Sequence, residues 1–390
     1  MSDPTCAIVG IGATEFSKCS GRSELQLAAE AVTAALNDAG LSRDDVDGFC
    51  TFTMDNNGET EVARAIGAND LRFFSRLNYG GGGGCAAVHQ AMMAIRTGAA
   101  EVVVCYRAMN ERSQFRLGQP MPYGGSQGVA DADTAMFAYH GLSGALTAAG
   151  MMAPVIRRYM HETGARREDF AQVAIAARAY AATNPAAFFH GKPITLDDYM
   201  NARPVADPLH LLDCCQESDG AVALVITRLD RAADLRQRPA VIRAAAQGSP
   251  RGMLQLVNYY DGSITAGRET RLVGEQLYRA AGLTPADMQA AILYDHFVPT
   301  VFLSLEALGF CAPGEARDFV RDGRIAAGGA LPVNMHGGQV GEAYIHGMNG
   351  IAEAVRQVRG TAVNQVPDLS NILVTSGSGV PTSGLILGAG

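Results

Sequence analysis

The chain opens on a short apolar run that ends in glycines, residues 5–12 (TCAIVGIG), the pattern of a buried strand. Over residues 23–39 the apolar positions Leu25, Leu27, Ala28, Ala31, Val32, Ala35 and Leu36 recur at helical spacing, and Gly40 stops the helix. Ser42 reads as the next N-cap with Asp45 three residues on, and a strand is predicted over 48–52. The same order returns downstream. A helix closes over 277–281, Gly282, Leu283 and Thr284 repeat Gly40, Leu41 and Ser42 at a distance of 242 positions, and 291–294 reads as a strand. After Gly84 a helix runs to Arg96 and a strand follows over 101–105; after Gly350 a helix runs to Arg359 and a strand follows over 371–375. The repetition predicts an internal duplication of βαβα…β units, hence an α/β fold of mixed sheets covered by helices.

Between the halves lies a Met-, Ala- and Tyr-rich stretch with helical periods around 137–159 and 169–183. It reads as an inserted loop domain, residues 111–203, on the substrate side. The first half then comprises 1–110 with 204–236, and the second half 237–390.

Composition narrows the class. With 390 residues, 48% hydrophobic and 18% charged, the chain has an ample core and is neither a disulfide scaffold nor disordered. Its 31 Lys and Arg against 39 Asp and Glu leave a net charge of −8, which excludes a basic footprint for nucleic acid. No run reaches the ~18 apolar residues of a membrane span, and the start MSDPT has no signal-peptide pattern, so a cytoplasmic protein away from membranes is expected. The eight cysteines are scattered without a C-x-x-C pair, which predicts reduced thiols and no metal site.

One local feature stands out. Asn78 and Tyr79 lead into five consecutive glycines, Gly80 to Gly84, and then Cys85. Each glycine costs roughly 0.5–1 kcal/mol of backbone entropy relative to alanine, so the run implies tight backbone, close approach of a ligand, or both. No Gly-Lys-Ser/Thr follows, which excludes a phosphate loop, and no acidic residue about 20 positions on completes a dinucleotide fingerprint.

Several motifs together resemble the thiolase superfamily, in particular the sterol-carrier-protein-x-type thiolases and the thiolase-like lipid-transfer proteins. They are GATEF from Gly12, RPVADPL from Arg203 through Asp213-Cys214-Cys215, SDGA from Ser218, and VNMHGG from Val333. The resemblance spans essentially the whole chain. It implies the thiolase fold, two duplicated βαβαβαββ halves in five αβαβα layers. It also implies four functional positions, and this sequence fills each differently. The nucleophilic cysteine would sit at a helix N-terminus, where the dipole activates a thiol; counting back from Thr97-Gly98, that position is Gly81, and Cys85 falls one turn late. The family's two histidines align with Tyr344 and Tyr294, and a second cysteine with Ser376.

Without a nucleophile no acyl-enzyme forms, so thiolysis and Claisen condensation lose their first step. A carbon–carbon cleavage that needs none is the retro-aldol reaction of a β-hydroxyacyl-CoA. It requires a base for the hydroxyl proton, stabilisation of a thioester enolate, and an acid for the α-carbon. Tyr294 and Tyr344 are the candidate acid–base pair. Supporting candidates are His296, His336, His346 and Asp295, with the backbone of Gly81, Gly82, Gly83 and Gly84 facing the enolate oxygen and leaving room for substrate. Cys214-Cys215 is assigned no chemistry, and Asp295 and Glu342 also read as structural groups.

The nucleophile-less pattern resembles the aldolases of bacterial steroid side-chain degradation. That implies a 17-hydroxy-3-oxo-pregnene-20-carboxyl-CoA substrate, cleaved to a 17-keto steroid of androstenedione type and propionyl-CoA. It implies no cofactor beyond the CoA of the substrate. The implied assembly is a homodimer that joins a small OB-fold and zinc-ribbon partner in a heterotetramer; the low count of basic residues points to part of the CoA grip coming from the partner. Two alternatives stay open at this point: thiolase chemistry through a displaced Cys85, and a non-catalytic acyl-CoA- or lipid-binding subunit.

Overall fold

A computed structural model describes residues 5–53, 56–78, 80–114, 116, 118–119, 140–253 and 264–390. The first half runs β1 (Cys6–Ala13), α1 (Glu24–Ala39), β2 (Gly48–Phe52), α2 (Glu59–Ile66), β3 (Phe73–Leu77), α3 (Gly83–Arg96) and β4 (Val103–Asn110). Then come α4 (Ala148–Thr163), α5 (Arg167–Thr183), α6 (Leu196–Met200), the ribbon β5 (Pro204–Ala206) and β6 (Leu209–His210), β7 (Asp219–Arg228) and α7 (Leu229–Ala232). The second half runs β8 (Ala240–Gly248), α8 (Arg268–Ala281), β9 (Ala290–Ile292), α9 (Thr300–Ala307), α10 (Ala316–Phe319), α11 (Gly338–Gly341), α12 (Met348–Arg359), β10 (Asn371–Ser376) and β11 (Thr382–Ala389).

The duplicated signals act as the sequence predicts. Gly40 and Gly282 end α1 and α8 in the left-handed conformation, with φ of 74° and 66°. Each is followed by a capping box, Ser42 with Asp45 and Thr284 with Asp287. Some boundaries differ. The strand expected at 101–105 starts at Val103 and continues to Asn110, buried along its whole length. The strand expected at 291–294 ends at Ile292, because Leu293 gives its N–H to the Asn334 side chain at 2.8 Å rather than to the sheet. α12 begins at Met348, ahead of Gly350. The helix expected around 137–159 begins at Ala148, capped by Thr147; residues 137–139 lie outside the described residues.

Apart from the β5–β6 ribbon, the described strands form one sheet in the order β3-β2-β4-β7-β1-β8-β11-β10-β9. Its halves meet where β1 pairs with both β7 and β8, through Ala7–Val241 and Ile8–Ala240. α3 and α12 pack against strands of both halves, α1 and α2 cover the outer face of the first, and α8 covers the outer face of the second. Strand alternation divides the core accordingly. Cys6 and Ile8 of β1 face the central helices, whereas Ala7 and Val9 face α1. Leu385 and Leu387 of β11 face inward, and Ile386 faces α8. The result is the αβαβα layering, with the N-termini of α3 and α12 in the middle layer. Among the described residues no helix is long and apolar enough to cross a membrane.

Candidate active site

Tyr294 and Tyr344 are brought together by segments tied on several sides. Just past β9, Tyr294 donates its N–H to Thr375 Oγ1 of β10 at 3.1 Å, and Thr300 Oγ1 of α9 donates to its carbonyl at 3.2 Å. Tyr344, between α11 and α12, donates its N–H to Ser218 Oγ at 3.2 Å. The chain before β7 stitches the two segments: Cys215 N–H reaches His296 O at 2.9 Å and Gln216 N–H reaches Gln339 O at 2.8 Å. The phenol oxygens then lie 3.1 Å apart in a hydrogen bond, with the residues only 4% and 6% exposed.

The glycine run supplies the floor. A Cβ on Gly81 would overlap the Tyr294 hydroxyl, and one on Gly82 the Pro381 carbonyl oxygen. At Gly83 it would lie 2.6 Å from Phe52 Cβ, and at Gly84 2.9 Å from Ser376 Oγ. The expectation that these missing side chains leave room for substrate is therefore corrected: the place each side chain would take is filled by the protein itself. Cys85 lies deeper, its thiol accepting from Ser376 Oγ at 3.2 Å. Burial pushes that thiol up to about 12, which disfavours the thiolate at neutral pH.

Residues 6–230 match the family described as thiolase N-terminal domain, and residues 260–387 match the thiolase C-terminal domain-like family. The chain belongs to the thiolase family. The 17-hydroxy-3-oxo-4-pregnene-20-carboxyl-CoA lyase of Mycobacterium tuberculosis is 58% identical over 389 residues, all of both chains. A steroid side-chain-cleaving aldolase of Thermomonospora curvata is 60% identical over 383 residues, 98% of this chain and 97% of that one. The solved Ltp2-ChsH2(DUF35) aldolase superposes with a TM-score of 0.94 at 58% identity, covering 100% of this chain and 99% of that one.

In this thiolase-family chain the electrostatics around the pair are polarised. Burial pushes both phenols well above their ordinary range. Their shared hydrogen bond, in which either hydroxyl can donate, couples the two phenols. Arg107 pulls Tyr294 down, while Cys215 and Glu111 push both phenols up. Arg107 is fully buried, donates to the Phe52 carbonyl at 3.1 Å and lies 5.0 Å from the Phe52 ring.

These neighbours were not singled out in the sequence. Arg107 and Met109 alternate on β4, and Glu111 follows in the same period; Met109 packs against both tyrosines, with half-buried Cys215 beside them. The usable signal was a charged residue inside the apolar run 102–109. Of the expected supporting residues, two reach the pair: the His296 ring lies 5.1 Å from that of Tyr294, and His346 lies 4.9 Å from Tyr344. Burial pushes His296 down to about 3 and His346 well down, so both are neutral imidazoles. The other two face elsewhere. His336 approaches Glu342 at 4.0 Å, and the Asp295 carboxylate accepts from the Gln339 N–H at 2.9 Å. Among the described residues no three His, Cys, Asp or Glu side chains converge as a metal site would require.

Proposed function

We propose that the chain cleaves a steroid β-hydroxyacyl-CoA by a retro-aldol reaction, with Tyr294 and Tyr344 as its acid–base pair. The observation that carries this reading is the phenol pair itself, hydrogen-bonded at 3.1 Å, with the Tyr294 hydroxyl lying where the Gly81 side chain would be. The substrate class follows from the 58% and 60% identical relatives, a steroid carboxyl-CoA lyase and a steroid side-chain-cleaving aldolase.

In a 17-hydroxy-20-carboxyl-CoA the thioester carbonyl sits on C20 and the hydroxyl on C17. One phenol of the pair, as phenolate, takes the hydroxyl proton; the C17–C20 bond breaks with its electrons on C20; and the thioester enolate forms as C17 becomes a ketone. The other phenol gives its proton to C20, which completes propionyl-CoA. Proton passage along the hydrogen bond between the phenols returns the pair to its starting state. No acyl-enzyme and no cofactor besides the substrate's own CoA take part. Because burial opposes phenolate formation, the Arg107 guanidinium supplies the compensating positive charge, and neutral His296 and His346 line the site. The backbone of Gly81 to Gly84 is the element we assign to the enolate oxygen.

The solved DUF35 complex supports a DUF35 partner for this chain as well. We extend this to a heterotetramer with an OB-fold and zinc-ribbon partner around a homodimer. The edge strand β3, with Phe74 61% exposed, is the edge a second copy can cover.

The test is a mass-spectrometric product assay. The chain, alone and co-expressed with a DUF35 partner, receives the 17-hydroxy steroid acyl-CoA without free CoA. The expected products are the 17-keto steroid and propionyl-CoA in equal amounts. Cleavage that requires free CoA, or no cleavage in either preparation, overturns the reading.

A further inference from the structure

Between α11 and Tyr344 lies Glu342, a carboxyl only 1% exposed that the reaction above does not use. Its Oε1 accepts from Asn184 Nδ2 at 3.0 Å and its Oε2 from Asn349 Nδ2 at 2.8 Å. Both amides also hold backbone: Asn184 donates to His336 O at 2.9 Å, and Asn349 donates at 3.0 Å to the carbonyl of Ala343, the residue before Tyr344. The Glu342 carbonyl accepts the Phe188 N–H at 2.9 Å. Glu342, Asn349 and Arg356 also line a cavity of about 490 Å³ whose walls include Glu15, Phe16 and Phe188.

We propose that Glu342 is a positioning residue for Tyr344: its carboxylate clamps the chain after α5, through Asn184, to α12 and the Ala343 carbonyl, through Asn349, and so fixes the phenol against Tyr294. The inference rests on the assignment of Tyr344 above. The groups facing the carboxylate are Arg356 Nη2 at 3.9 Å and His336 Nε2 at 4.0 Å, with Glu353 further along α12 and Glu15 on the cavity wall.

The ionised form suits this clamp, because both oxygens then face amide donors and the charge attracts Arg356. A protonated carboxyl turns one oxygen into a donor and gives up that attraction. Burial pushes Glu342 up to about 7, against the pull of Arg356 and the amides. Between about 4.5, where an unfolded glutamate titrates, and about 7 the folded chain holds a proton that the unfolded chain has released. This group therefore weakens the fold as pH rises through that window. A charge kept against stability, two residues from the phenol it holds, is what a functional rather than a packing role requires.

The test compares turnover of the partner-bound wild type, E342Q, N184A and Y344F from pH 5.5 to 9, together with unfolding midpoints at pH 8. Expected for E342Q is a loss of about ten- to a hundredfold in kcat with KM little changed. The acid limb near pH 7 disappears, and the midpoint at pH 8 equals or exceeds that of wild type. A wild-type rate and pH profile in E342Q overturn the inference, as does a kcat that falls only in step with a lowered midpoint. If E342Q does not fold, N184A decides: a folded N184A with wild-type kcat overturns the clamp, and a reduced kcat at an unchanged midpoint supports it. Y344F separates the two readings. Full turnover in Y344F removes the assignment of Tyr344 and the clamp with it, whereas loss in Y344F beside a wild-type E342Q overturns the clamp alone.

Discussion

The central helices α3 and α12 enter the middle layer from corresponding places in the two halves, yet their N-terminal approaches are built oppositely. α3 is approached through glycines that carry no side chain, and its first thiol, Cys85, is sealed under Ser376. α12 is approached through Tyr344, Ile345 and His346, all large and all buried, with His346 held at a φ of 48°. Side-chain volume removed at the α3 approach is taken up from past β9, where the Tyr294 hydroxyl occupies the place of a Gly81 side chain and meets Tyr344 of the α12 approach. The contrast teaches that a fold can bring a phenol against the approach to a central helix by trading volume across a single contact.

The sharpest way to break this comparison is to remove the phenols. Tyr344→Phe and Tyr294→Phe should each lower turnover by about 10²–10⁴-fold with unchanged circular dichroism, the range for a lost general acid or base. Product formation by mass spectrometry checks it, and near-wild-type rates in both would end the assignment. Restoring volume on the α3 side is next. Gly81→Ala should displace the Tyr294 hydroxyl and cost about 10²-fold in kcat, because a displacement of ~1 Å at a reacting group has that effect. An alanine variant with full activity would show that the pair does not need its present place.

A third prediction concerns stability. His296 and His336, both pushed down to about 3 by burial, stay neutral in the fold while unfolded imidazoles take up protons near 6.5. The unfolded chain then binds more protons, so each histidine removes stability as pH falls from 6.5, by up to about 1.4 kcal/mol per pH unit. Asp295 and Glu342, pushed up to about 6 and about 7, act in the opposite sense over their own windows. His336→Asn should therefore flatten the fall of the urea midpoint between pH 6.5 and 4. A slope equal to that of wild type would count against a neutral buried imidazole there. The smallest effect is expected at the sealed thiol: Cys85→Ala should keep turnover within about twofold, as an inert buried cysteine requires. Loss of activity there would return thiolase chemistry to consideration.

The elements were largely legible in the sequence, since period and punctuation are local. Gly40 and Gly282, with the capping boxes after them, exposed the duplication before any coordinate. Tyr294 and Tyr344 were legible through the resemblance, by their alignment with family positions. Arg107, Met109, Glu111 and Cys215 were not, because a strand's alternation says which residues share a face but not what that face meets. His336 and Asp295 looked like members of the site because they neighbour it in sequence, and the fold turns them toward Glu342 and Gln339.

What the sequence by itself determined is the duplicated α/β architecture, written in residue type and spacing along short stretches; the loss of the nucleophile is what its resemblance to the thiolases implies. What only the tertiary structure decided is how that loss is filled. The phenol pair joins positions 50 residues apart, sets the Tyr294 hydroxyl in the space left by a glycine more than 200 residues upstream, and feels the charges of Arg107 on β4 and of Glu111 just past it. Such contacts depend on volume and charge meeting across layers, and a pattern read along one chain carries no information about which distant surfaces will touch.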